Sequence, residues 1–398
     1  MSNTTRTRTR KWLRLIAVQL VLCAIVFAIV YGPWTIHRAS KMYRDVKRPQ
    51  RYWREHLHQA DPVYGFAPKP GRTVEDFPIG RDVPVQFDEN GFRVPVDATP
   101  APAKRPLILA LGGSYTFGDA CLAEEAYPYR VAEALGGTAL NAGVCSYGLT
   151  QMLLRARDII PREKPDYVLV QYSDWLAERA VSPFAPYYYG KLTVPFYTET
   201  PGAALEMHPP PFRTMAFDVP IAGFQETPAS LGDRLGFWRR VAIPLIVYDD
   251  FHMARYTCSR WLGQPGPAVD RRADVVALVY GEIASLCRAS EGRLVIVTIG
   301  STIAEPPDEE IAILSALEEA LFVDGDEALM RRLEIEENTD PSEAYDNAYT
   351  HWAGDPPRRI DPHPNPRAHA IVAEEIVRTI RAHTATQNAP TVNTAPAP

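Results

Sequence analysis

The chain has 398 residues, of which 46% are hydrophobic and 23% are charged, the balance of an ordinary globular protein. This composition excludes a wholly disordered chain, a collagen-like fibre and a protein with many membrane spans. The net charge of −6 combines ten basic residues and one acid at positions 1–50, a formal +9, with −15 over the remainder. An acidic body argues against nucleic acid as the partner.

The N-terminal segment has the pattern of a membrane anchor. Several basic residues precede an apolar run from Leu15 to Tyr31, which only Gln19 interrupts. This run has about the minimum length of a spanning helix, roughly 17 residues. It ends at Gly32 and Pro33, without the small-residue site at which a signal peptide is cleaved. The pattern therefore favours an uncleaved anchor over a signal peptide or a buried helix of a soluble protein.

This pattern predicts three N-terminal segments and a location for the body. They are a cytoplasmic basic tail at 1–14, a transmembrane signal anchor at 15–32 and a juxtamembrane segment at 33–60. Five basic residues between Arg38 and Arg48 nearly balance the positive-inside rule. We expect the short tail to stay in the cytoplasm, with a single pass through a bacterial inner membrane and the body in the periplasm.

Four cysteines lie outside the predicted anchor, at Cys121, Cys145, Cys258 and Cys287. An even number suits two disulfides in an oxidising compartment, and the most local pairing is Cys121–Cys145 with Cys258–Cys287. Four buried free thiols are the alternative. The sequence has no CxxC motif, which weakens a zinc or redox interpretation.

Strands alternate with helices from residue 106 onward, which predicts an α/β fold with a mainly parallel sheet. The preceding 61–105 segment is rich in Gly, Pro and Asp and has short alternating runs, which indicates a small β lead-in. Continuous apolar runs are typical of strands buried on both faces. The predicted strands are 106–111, 137–144, 167–171 and 294–299, and the predicted helices are 125–135, 150–160 (capped by Thr150), 268–288, 308–321 and 366–382.

Two segments break this alternation. Residues 180–235 are rich in aromatic residues and Pro, which predicts an insertion beside the site within a domain that spans 106–383. Its aromatic runs, 187–189 and 196–197, either stack on a sugar or simply pack. The low-complexity tail at 384–398 is expected to be disordered.

A tight turn, GGSYTFG, follows the first strand of the predicted core and spans 112–118. In parallel α/β sheets the reactive groups lie at the carboxyl ends of the strands, where Ser114 would project. Its hydroxyl is a candidate nucleophile if a base reaches it. The turn lacks the GK[ST] ending of a P-loop and the GxGxxG of a dinucleotide site. Taken alone, the turn is a weak signal, and a plain strand-to-helix turn is the favoured interpretation.

His363 is the candidate base, in the loop directly before the last predicted helix. Asp361, two residues earlier, can place its carboxylate against the ring, fix the tautomer and stabilise the imidazolium. Asn365 is the predicted cap of the following helix. A solvated histidine in a Pro-rich loop is the alternative interpretation. His351 is a weaker candidate base, and we expect His369, within the helix, to be structural.

Together these two motifs resemble the SGNH/GDSL hydrolase superfamily. Residues 111–118 resemble its first block, which carries the nucleophile, and residues 361–363 resemble its last. Residues 141–148 resemble the second block, and 171–174 occupy the position of the third. Residues 75–94, with the run 90–93 near their end, are similar to the lead-in of membrane-anchored members. The resemblance covers roughly 60–382, and the first and last blocks are specific as a pair.

This resemblance implies a flavodoxin-like three-layer fold and an ester hydrolase or acyltransferase. It implies that Ser114 attacks the acyl carbonyl, that His363 acts as base and then as acid, and that Asp361 orients the ring. The implied oxyanion hole consists of the Ser114 backbone N–H, a second-block N–H at Ser146 and a third-block side chain at Ser173. No metal or cofactor is expected.

Two positions depart from the family pattern. Ser146 stands where the usual glycine lies, and its N–H survives unless the position needs a positive φ. Ser173 stands where the usual asparagine lies, and a hydroxyl has a shorter reach than an amide. Another donor such as Gln171 would then replace it, or the activity would be reduced or lost. A Cys121–Cys145 bridge would brace the oxyanion loop.

The expected function is a membrane-anchored, extracytoplasmic serine esterase or deacylase. Its expected partners are an acyl-ester substrate, such as an O-acetylated carbohydrate or a lipid, and the inner membrane. One alternative is a polysaccharide O-acetyltransferase with the same triad. A catalytically inactive carbohydrate-binding or envelope-assembly module is the other, suggested by the two departures.

Overall fold

The chain folds into two compact units, one formed by 1–51 and 219–255 and the other by 52–218 and 256–398. The structure is a computed structural model. It describes residues 3–47, 57–74, 83–98, 102–185, 190–200, 202, 204–218, 229–300, 308–318, 320–333 and 340–387.

The strands and helices of the described residues are as follows. The strands are β1 (His58–Asp61), β2 (Gly65–Pro68), β3 (Thr73–Val74), β4 (Val85–Phe87), β5 (Arg93–Val94), β6 (Leu107–Leu111), β7 (Thr138–Asn141), β8 (Tyr167–Tyr172), β9 (Phe184–Ala185), β10 (Leu192–Thr193), β11 (Phe196–Glu199), β12 (Leu205–His208), β13 (Arg293–Thr298), β14 (Leu321–Asp324), β15 (His351–Ala353) and β16 (Arg358–Asp361). The helices are α1 (Asn3–Val46), α2 (Ser114–Phe117), α3 (Tyr127–Leu135), α4 (Leu149–Glu163), α5 (Asp174–Ala180), α6 (Leu231–Phe237), α7 (Ile243–Trp261), α8 (Arg272–Ala289), α9 (Asp308–Ser315), α10 (Gly325–Arg331), α11 (Pro341–Tyr349) and α12 (Pro366–Gln387).

An eight-stranded sheet in the order β14-β13-β8-β6-β7-β5-β4-β3 forms the centre of the larger unit. The five strands from β14 to β7 are parallel, and the three lead-in strands continue the sheet in antiparallel fashion. Strands β6, β8 and β13 are almost wholly buried, as their continuous apolar runs predict. The predicted α/β class with a mainly parallel sheet is therefore confirmed.

Helices cover this sheet on both faces. On one face α4 and α8 pack on the sheet around a core that includes Leu153, Val168 and Ile283. On the other face α3 and α12 pack around Leu169 and Val372. This arrangement brings the carboxyl ends of β6, β7, β8 and β13 to one edge of the sheet, where chemistry-bearing residues are expected.

Several predicted boundaries differ from the structure. The helix predicted at 308–321 ends at Ser315, and the missed strand β14 follows because its short apolar run joins the sheet edge beside β13. The cap of α4 is Gly148, whose N–H is accepted by the Gln151 side chain, and not Thr150. Helix α12 continues to Gln387, so the disorder predicted from 384 is wrong for the first four residues, and the rest lies outside the described part.

The smaller unit pairs α1 with α6 and α7. Tyr43 of α1 packs edge-on against Phe237, with ring centroids 5.4 Å apart. Arg38 makes two hydrogen bonds to the Asp250 carboxylate, at 2.7 and 2.8 Å, and the Tyr31 hydroxyl donates a third at 2.7 Å. Within the described residues, no helix combines the length and the apolar character that crossing a membrane requires. The anchor at 15–32 therefore stays a prediction.

The segment predicted as an insertion contains two short hairpins, β9–β10 and β11–β12, and contributes α6 to the smaller unit. Phe196 and Tyr197 are 5% and 2% exposed, so these two rings pack and offer no stacking surface. Residues 187–189, the other predicted aromatic run, lie outside the described residues.

The predicted disulfides are not formed. All four of these cysteines are free thiols in the structure. Cys121 Sγ donates to the Pro364 carbonyl at 3.4 Å, whereas Cys145 Sγ donates to Asp119 Oδ2 at 3.5 Å. Because each thiol is turned toward an acceptor of its own, the proposed brace of the oxyanion loop is wrong. The second predicted pair fails as well, since Cys287 is buried and Cys258 is exposed.

Candidate active site

The candidate nucleophile lies on a glycine turn at the end of β6. A Cβ on Gly112 would lie 1.9 Å from Thr116 Oγ1 and 2.6 Å from Gln171 Oε1, so no larger residue fits there. Helix α2 begins at Ser114 and ends at Phe117, and the capping residue Gly118 that follows has a φ of +79°. The turn closes because two successive backbone N–H groups, of Gly118 and Asp119, donate to the Ser114 carbonyl. Ser114 is 8% exposed.

The structure brings together the three residues predicted as a triad. Ser114 Oγ lies 3.0 Å from His363 Nε2, and His363 Nδ1 lies 2.6 Å from Asp361 Oδ1. The backbone N–H of His363 donates to the same carboxylate oxygen at 2.8 Å. In the neutral ring, Nδ1–H donates to Asp361 and Nε2 accepts from Ser114, which is the tautomer a general base needs.

The loop that carries His363 is held from both ends. Asp361 is the last residue of β16, and Asn365 caps α12, as predicted, by accepting the N–H groups of Arg367 and Ala368. The Asn365 amide also donates to the carbonyls of Ala348 and Thr350. Burial alone would raise the pKa of Asp361, but the hydrogen bonds and the charge of His363 hold that pKa below its ordinary value. The carboxylate therefore stays ionised at neutral pH.

Gln171 supports the nucleophile turn from the neighbouring strand β8. Its side-chain carbonyl accepts hydrogen bonds from the Gly113 N–H at 3.0 Å, the Thr116 N–H at 3.2 Å and the Thr116 hydroxyl at 2.9 Å. Its amide N–H donates to the Ser173 hydroxyl at 2.9 Å. Gln171 is fully buried, and a polar residue inside an apolar strand is the sequence signal for this role. One of the two amide N–H bonds of Gln171 is therefore engaged with Ser173.

The two positions that depart from the family pattern, Ser146 and Ser173, both have a geometry that the sequence did not show. Ser146 has a φ of +67°, so this position does require the conformation that glycine adopts freely. Ser173 is fully buried, and its hydroxyl donates to the Ile299 carbonyl at 2.6 Å. A hydroxyl has one proton to donate. The structure therefore does not bring the Ser173 side chain to the oxyanion position.

Arg93 is a supporting residue that the sequence motif at 90–93 marked without giving it a role. It lies in β5 and is 1% exposed. Its guanidinium donates to the carbonyls of Phe117, Gly118 and Cys121, and it stacks 4.3 Å from the centre of the Phe117 ring. The lead-in strand thus fixes the chain that follows the nucleophile helix.

Two further histidines, the weaker candidate base His351 and the helix residue His369, have partners other than Ser114. His351 Nε2 lies 3.2 Å from the Pro364 carbonyl, so this ring contacts the loop that carries His363. His369 is fully buried in α12, where its Nδ1 accepts the Tyr127 N–H. Burial lowers the pKa of His369 to about 3, so the ring is neutral and structural, as expected.

Aromatic rings line the mouth of the site. The Tyr115 ring centre lies 5.5 Å from that of His363 and 5.2 Å from that of Trp175, with edge-to-face geometry in both pairs. Gly300, with a φ of +92°, lies against both rings, since a Cβ there would be 2.3 Å from Trp175. Burial raises the pKa of Tyr115 well above its ordinary value, so its hydroxyl stays protonated. The partly buried rings of Tyr115 and Trp175 thus pack beside the catalytic histidine candidate.

The described residues contain no group of three or more His, Cys, Asp or Glu side chains that could hold a metal ion. What they do contain is a serine hydroxyl beside a histidine that a carboxylate orients. This arrangement activates a hydroxyl for attack on an electrophilic carbonyl.

Among known proteins, only solved structures are similar to this chain. No protein-family model matches the sequence, and no curated protein matches it. A structure described as a lipolytic protein of the G-D-S-L family from Desulfitobacterium hafniense is 10% identical, with 69% of this chain and 99% of that chain covered and a TM-score of 0.35. The esterase EstA from Pseudoalteromonas sp. is also 10% identical, with 70% and 99% covered and a TM-score of 0.33.

A further similar structure is a catalytic mutant of Axe2, an acetylxylan esterase from Geobacillus stearothermophilus. It is 12% identical, with 70% of this chain and 94% of that chain covered and a TM-score of 0.36. These structures bear the names of esterases and lipolytic proteins, the kind of enzyme that the sequence motifs resemble. At identities of 10–12% the likeness is one of fold alone.

Proposed function

We propose that this chain is a serine ester hydrolase of the SGNH type, with Ser114 as nucleophile, His363 as general base and acid, and Asp361 as the residue that orients His363. The observation that supports this proposal is the unbroken hydrogen-bond chain from Ser114 Oγ through both ring nitrogens of His363 to Asp361. A histidine that is structural alone has no need of a serine on one nitrogen and a carboxylate on the other.

The reaction proceeds in two halves. His363 Nε2 takes the Ser114 proton as Oγ attacks the acyl carbonyl, and the imidazolium returns that proton to the leaving alcohol as the carbon–oxygen bond breaks. Water then attacks the acyl-enzyme, with His363 again as base, and the acid leaves as Ser114 is regenerated. Asp361 stabilises the imidazolium in both halves and remains ionised.

The developing oxyanion is bound by backbone N–H groups in this proposal. The donors are those of Ser114 and Ser146, at the carboxyl ends of neighbouring strands β6 and β7. Each donor of this kind lowers the barrier by about 3–4 kcal/mol. With the Ser173 hydroxyl directed elsewhere, the hole has one side-chain donor fewer than the family pattern implies.

The proposed substrate is an acylated carbohydrate or lipid outside the cytoplasm. The rings of Tyr115 and Trp175 beside His363 support a substrate with an apolar face, which a sugar ring and an acyl chain both present. The basic tail and apolar run at the N-terminus support a membrane-anchored protein with its catalytic unit in the periplasm.

A fluorophosphonate probe tests the nucleophile. We expect it to label the wild-type chain at Ser114, to leave Ser114→Ala unlabelled, and to label the control Ser182→Ala normally. Absence of label on the folded wild-type chain would overturn the proposal and favour a binding module. With a chromogenic acetyl ester and an added oligosaccharide, acetate release in excess of sugar acetylation supports a hydrolase, and the reverse ratio identifies a transferase.

A further inference from the structure

A second carboxylate faces the catalytic histidine from the side of the nucleophile. Asp119 Oδ2 lies 3.6 Å from His363 Nε2, the same nitrogen that lies 3.0 Å from Ser114 Oγ. The Asp119 side chain is 4% exposed, whereas that of His363 is 17% exposed. The triad mechanism uses Asp361 on the other ring nitrogen and gives Asp119 no part.

The fold holds this carboxylate in place. The left-handed Gly118 turns the chain back at the end of α2, and the Asp119 N–H then donates to the Ser114 carbonyl at 3.0 Å. Cys145, in the loop after β7, donates its thiol to Asp119 Oδ2 at 3.5 Å. The two strand ends that carry the nucleophile and the oxyanion loop therefore both fix the position of Asp119.

Two carboxylates face the ring nitrogens of His363, Asp361 at Nδ1 and Asp119 at Nε2. Asp361 faces Nδ1, and the protonated Tyr115 faces the ring edge-on. Among the described residues, further charged or titratable groups near the site are Arg93 on the carbonyls after α2, His351 against Pro364, the neutral His369 in α12, Arg179 on the Tyr147 carbonyl and Asp326 on the Gly300 N–H.

We propose that Asp119 acts through His363 as a second carboxylate partner, one that stabilises the imidazolium at Nε2 and sets the lower pH limit of the reaction. This inference rests on the proposed function. A negative charge within about 4–6 Å favours the protonated form of a histidine. During turnover the proton moves from Ser114 Oγ to Nε2 and then to the leaving oxygen, while the Asp119 carboxylate faces Nε2 at 3.6 Å.

At low pH the same contact reduces activity, because it favours the protonated form of His363 before substrate binds. When His363 is protonated before substrate binds, its Nε2–H is directed to a carboxylate, and Ser114 has no base. Asp119 thus assists proton transfer and, at the same time, raises the pH below which activity is lost. Its removal separates these two effects, since one appears in the plateau rate and the other in the position of the acidic limb.

The first test is the pH profile of kcat/KM for Asp119→Asn. We expect the acidic limb to move down by about 1 pH unit and the plateau kcat to fall by roughly tenfold. Asp158→Asn is the matched control, because it removes one carboxylate from an exposed position on α4. An acidic limb at the wild-type pH in folded Asp119→Asn would overturn the inference.

The second test does not depend on activity. NMR titration of the His363 ring in Ser114→Ala, with and without Asp119→Asn, measures the interaction directly, and we expect the midpoint to be about 1 pH unit lower without the carboxylate. A shifted midpoint in these variants, together with a folded wild-type chain that has no esterase activity, would uphold the contact and reject the proposed function. An unshifted midpoint in an active enzyme would reject the inference alone. If Asp119→Asn does not fold, the uncharged Asp119→Ser replaces it in both measurements.

Discussion

The two halves of the candidate site are built differently. The proton-transfer half, formed by Ser114, His363 and Asp361, keeps every contact that its chemistry needs, with distances of 3.0 and 2.6 Å. In the oxyanion half, Ser146 occupies a left-handed conformation, and Ser173 donates its proton to a backbone carbonyl. Departures from the family pattern are therefore confined to the half that binds charge.

This contrast shows which substitutions a hydrolytic site accommodates. A nucleophile, a base and an orienting acid each depend on one side chain, so replacing any of them removes a step. An oxyanion hole depends on several donors, and backbone N–H groups persist whatever the side chain. In the proposed mechanism the site thus keeps its side-chain chemistry in one half and uses backbone N–H groups in the other.

The largest effect is expected on the proton-transfer half, from Asp361→Asn. An amide in place of the carboxylate removes the charge that stabilises the imidazolium and no longer enforces the productive tautomer. We expect kcat to fall by about 10⁴-fold. Steady-state kinetics on an acetyl ester measure the loss. Asp166→Asn is the control, because Asp166 pairs with Arg105 at the opposite edge of the sheet. Comparable loss in both variants would mean that the triad contacts carry no specific role.

Gln171→Met tests whether the two halves share one support. It removes the acceptor of three hydrogen bonds from the nucleophile turn and the donor to Ser173. We expect kcat/KM to fall by about 10²-fold, since a nucleophile displaced by 1 Å costs about that much. Tyr280→Phe is the control, because it removes a hydrogen bond to the Gln171 backbone and leaves the side chain in place. An unchanged rate in Gln171→Met would show that the glycine turn holds Ser114 unaided.

His369 gives the proton-transfer half a pH-dependent stability. Its pKa is about 3 in the folded chain and ordinarily 6.5. The unfolded chain binds a proton between these values that the folded chain does not, so the free energy of unfolding decreases as pH falls through 6.5. We expect a loss of about 2 kcal/mol between pH 8 and pH 5 that is absent in His369→Gln. Urea unfolding at both pH values measures it. His252→Gln, in the smaller unit, should keep the wild-type pH dependence of the free energy of unfolding. If His252→Gln abolished that dependence as well, the assignment to His369 would be disproved.

Ser173→Ala separates the family pattern from the observed geometry. A side-chain oxyanion donor at this position would cost about 10²–10³-fold in kcat on removal. Since the hydroxyl donates to the Ile299 carbonyl, we expect kcat within about threefold of wild type and a loss of about 1–2 kcal/mol in the free energy of unfolding. Kinetics and urea unfolding on the same preparation distinguish the two. A loss of 10²-fold in kcat would restore Ser173 to the oxyanion hole.

The sequence was sufficient for those parts of the site that depend on local chemistry. Ser114 follows a buried strand through two glycines, and Asp361 and His363 are two residues apart before a capped helix. Short-range geometry of this kind is readable from residue types. The strands that position them were predictable for the same reason, because continuous apolar runs indicate burial on both faces.

The contacts that the sequence did not predict join segments that are far apart along the chain. Gln171 is 58 residues from Gly113, and Arg93 is 24 residues from Phe117, so the sequence marks both residues without showing which distant segment each one contacts. The predicted cysteine pairing was wrong because an even number of cysteines permits disulfides without showing which way each thiol points. The sequence shows that Ser146 stands where the family has a glycine. Only the backbone geometry shows that this position has a positive φ.

Ser146→Gly is the gentlest change to the oxyanion half and the sharpest test of its backbone character. A serine with a φ of +67° is strained, so glycine should stabilise the chain by about 0.5–1 kcal/mol, as the control Lys164→Gly should at a helix end with a φ of 46°. The Ser146 N–H persists in glycine, so kcat/KM should stay within about threefold of wild type. Urea unfolding and acetyl-ester kinetics measure the two effects. A tenfold loss of kcat/KM would show that the hydroxyl contacts the reacting ester, and the oxyanion half would then depend on a side chain after all.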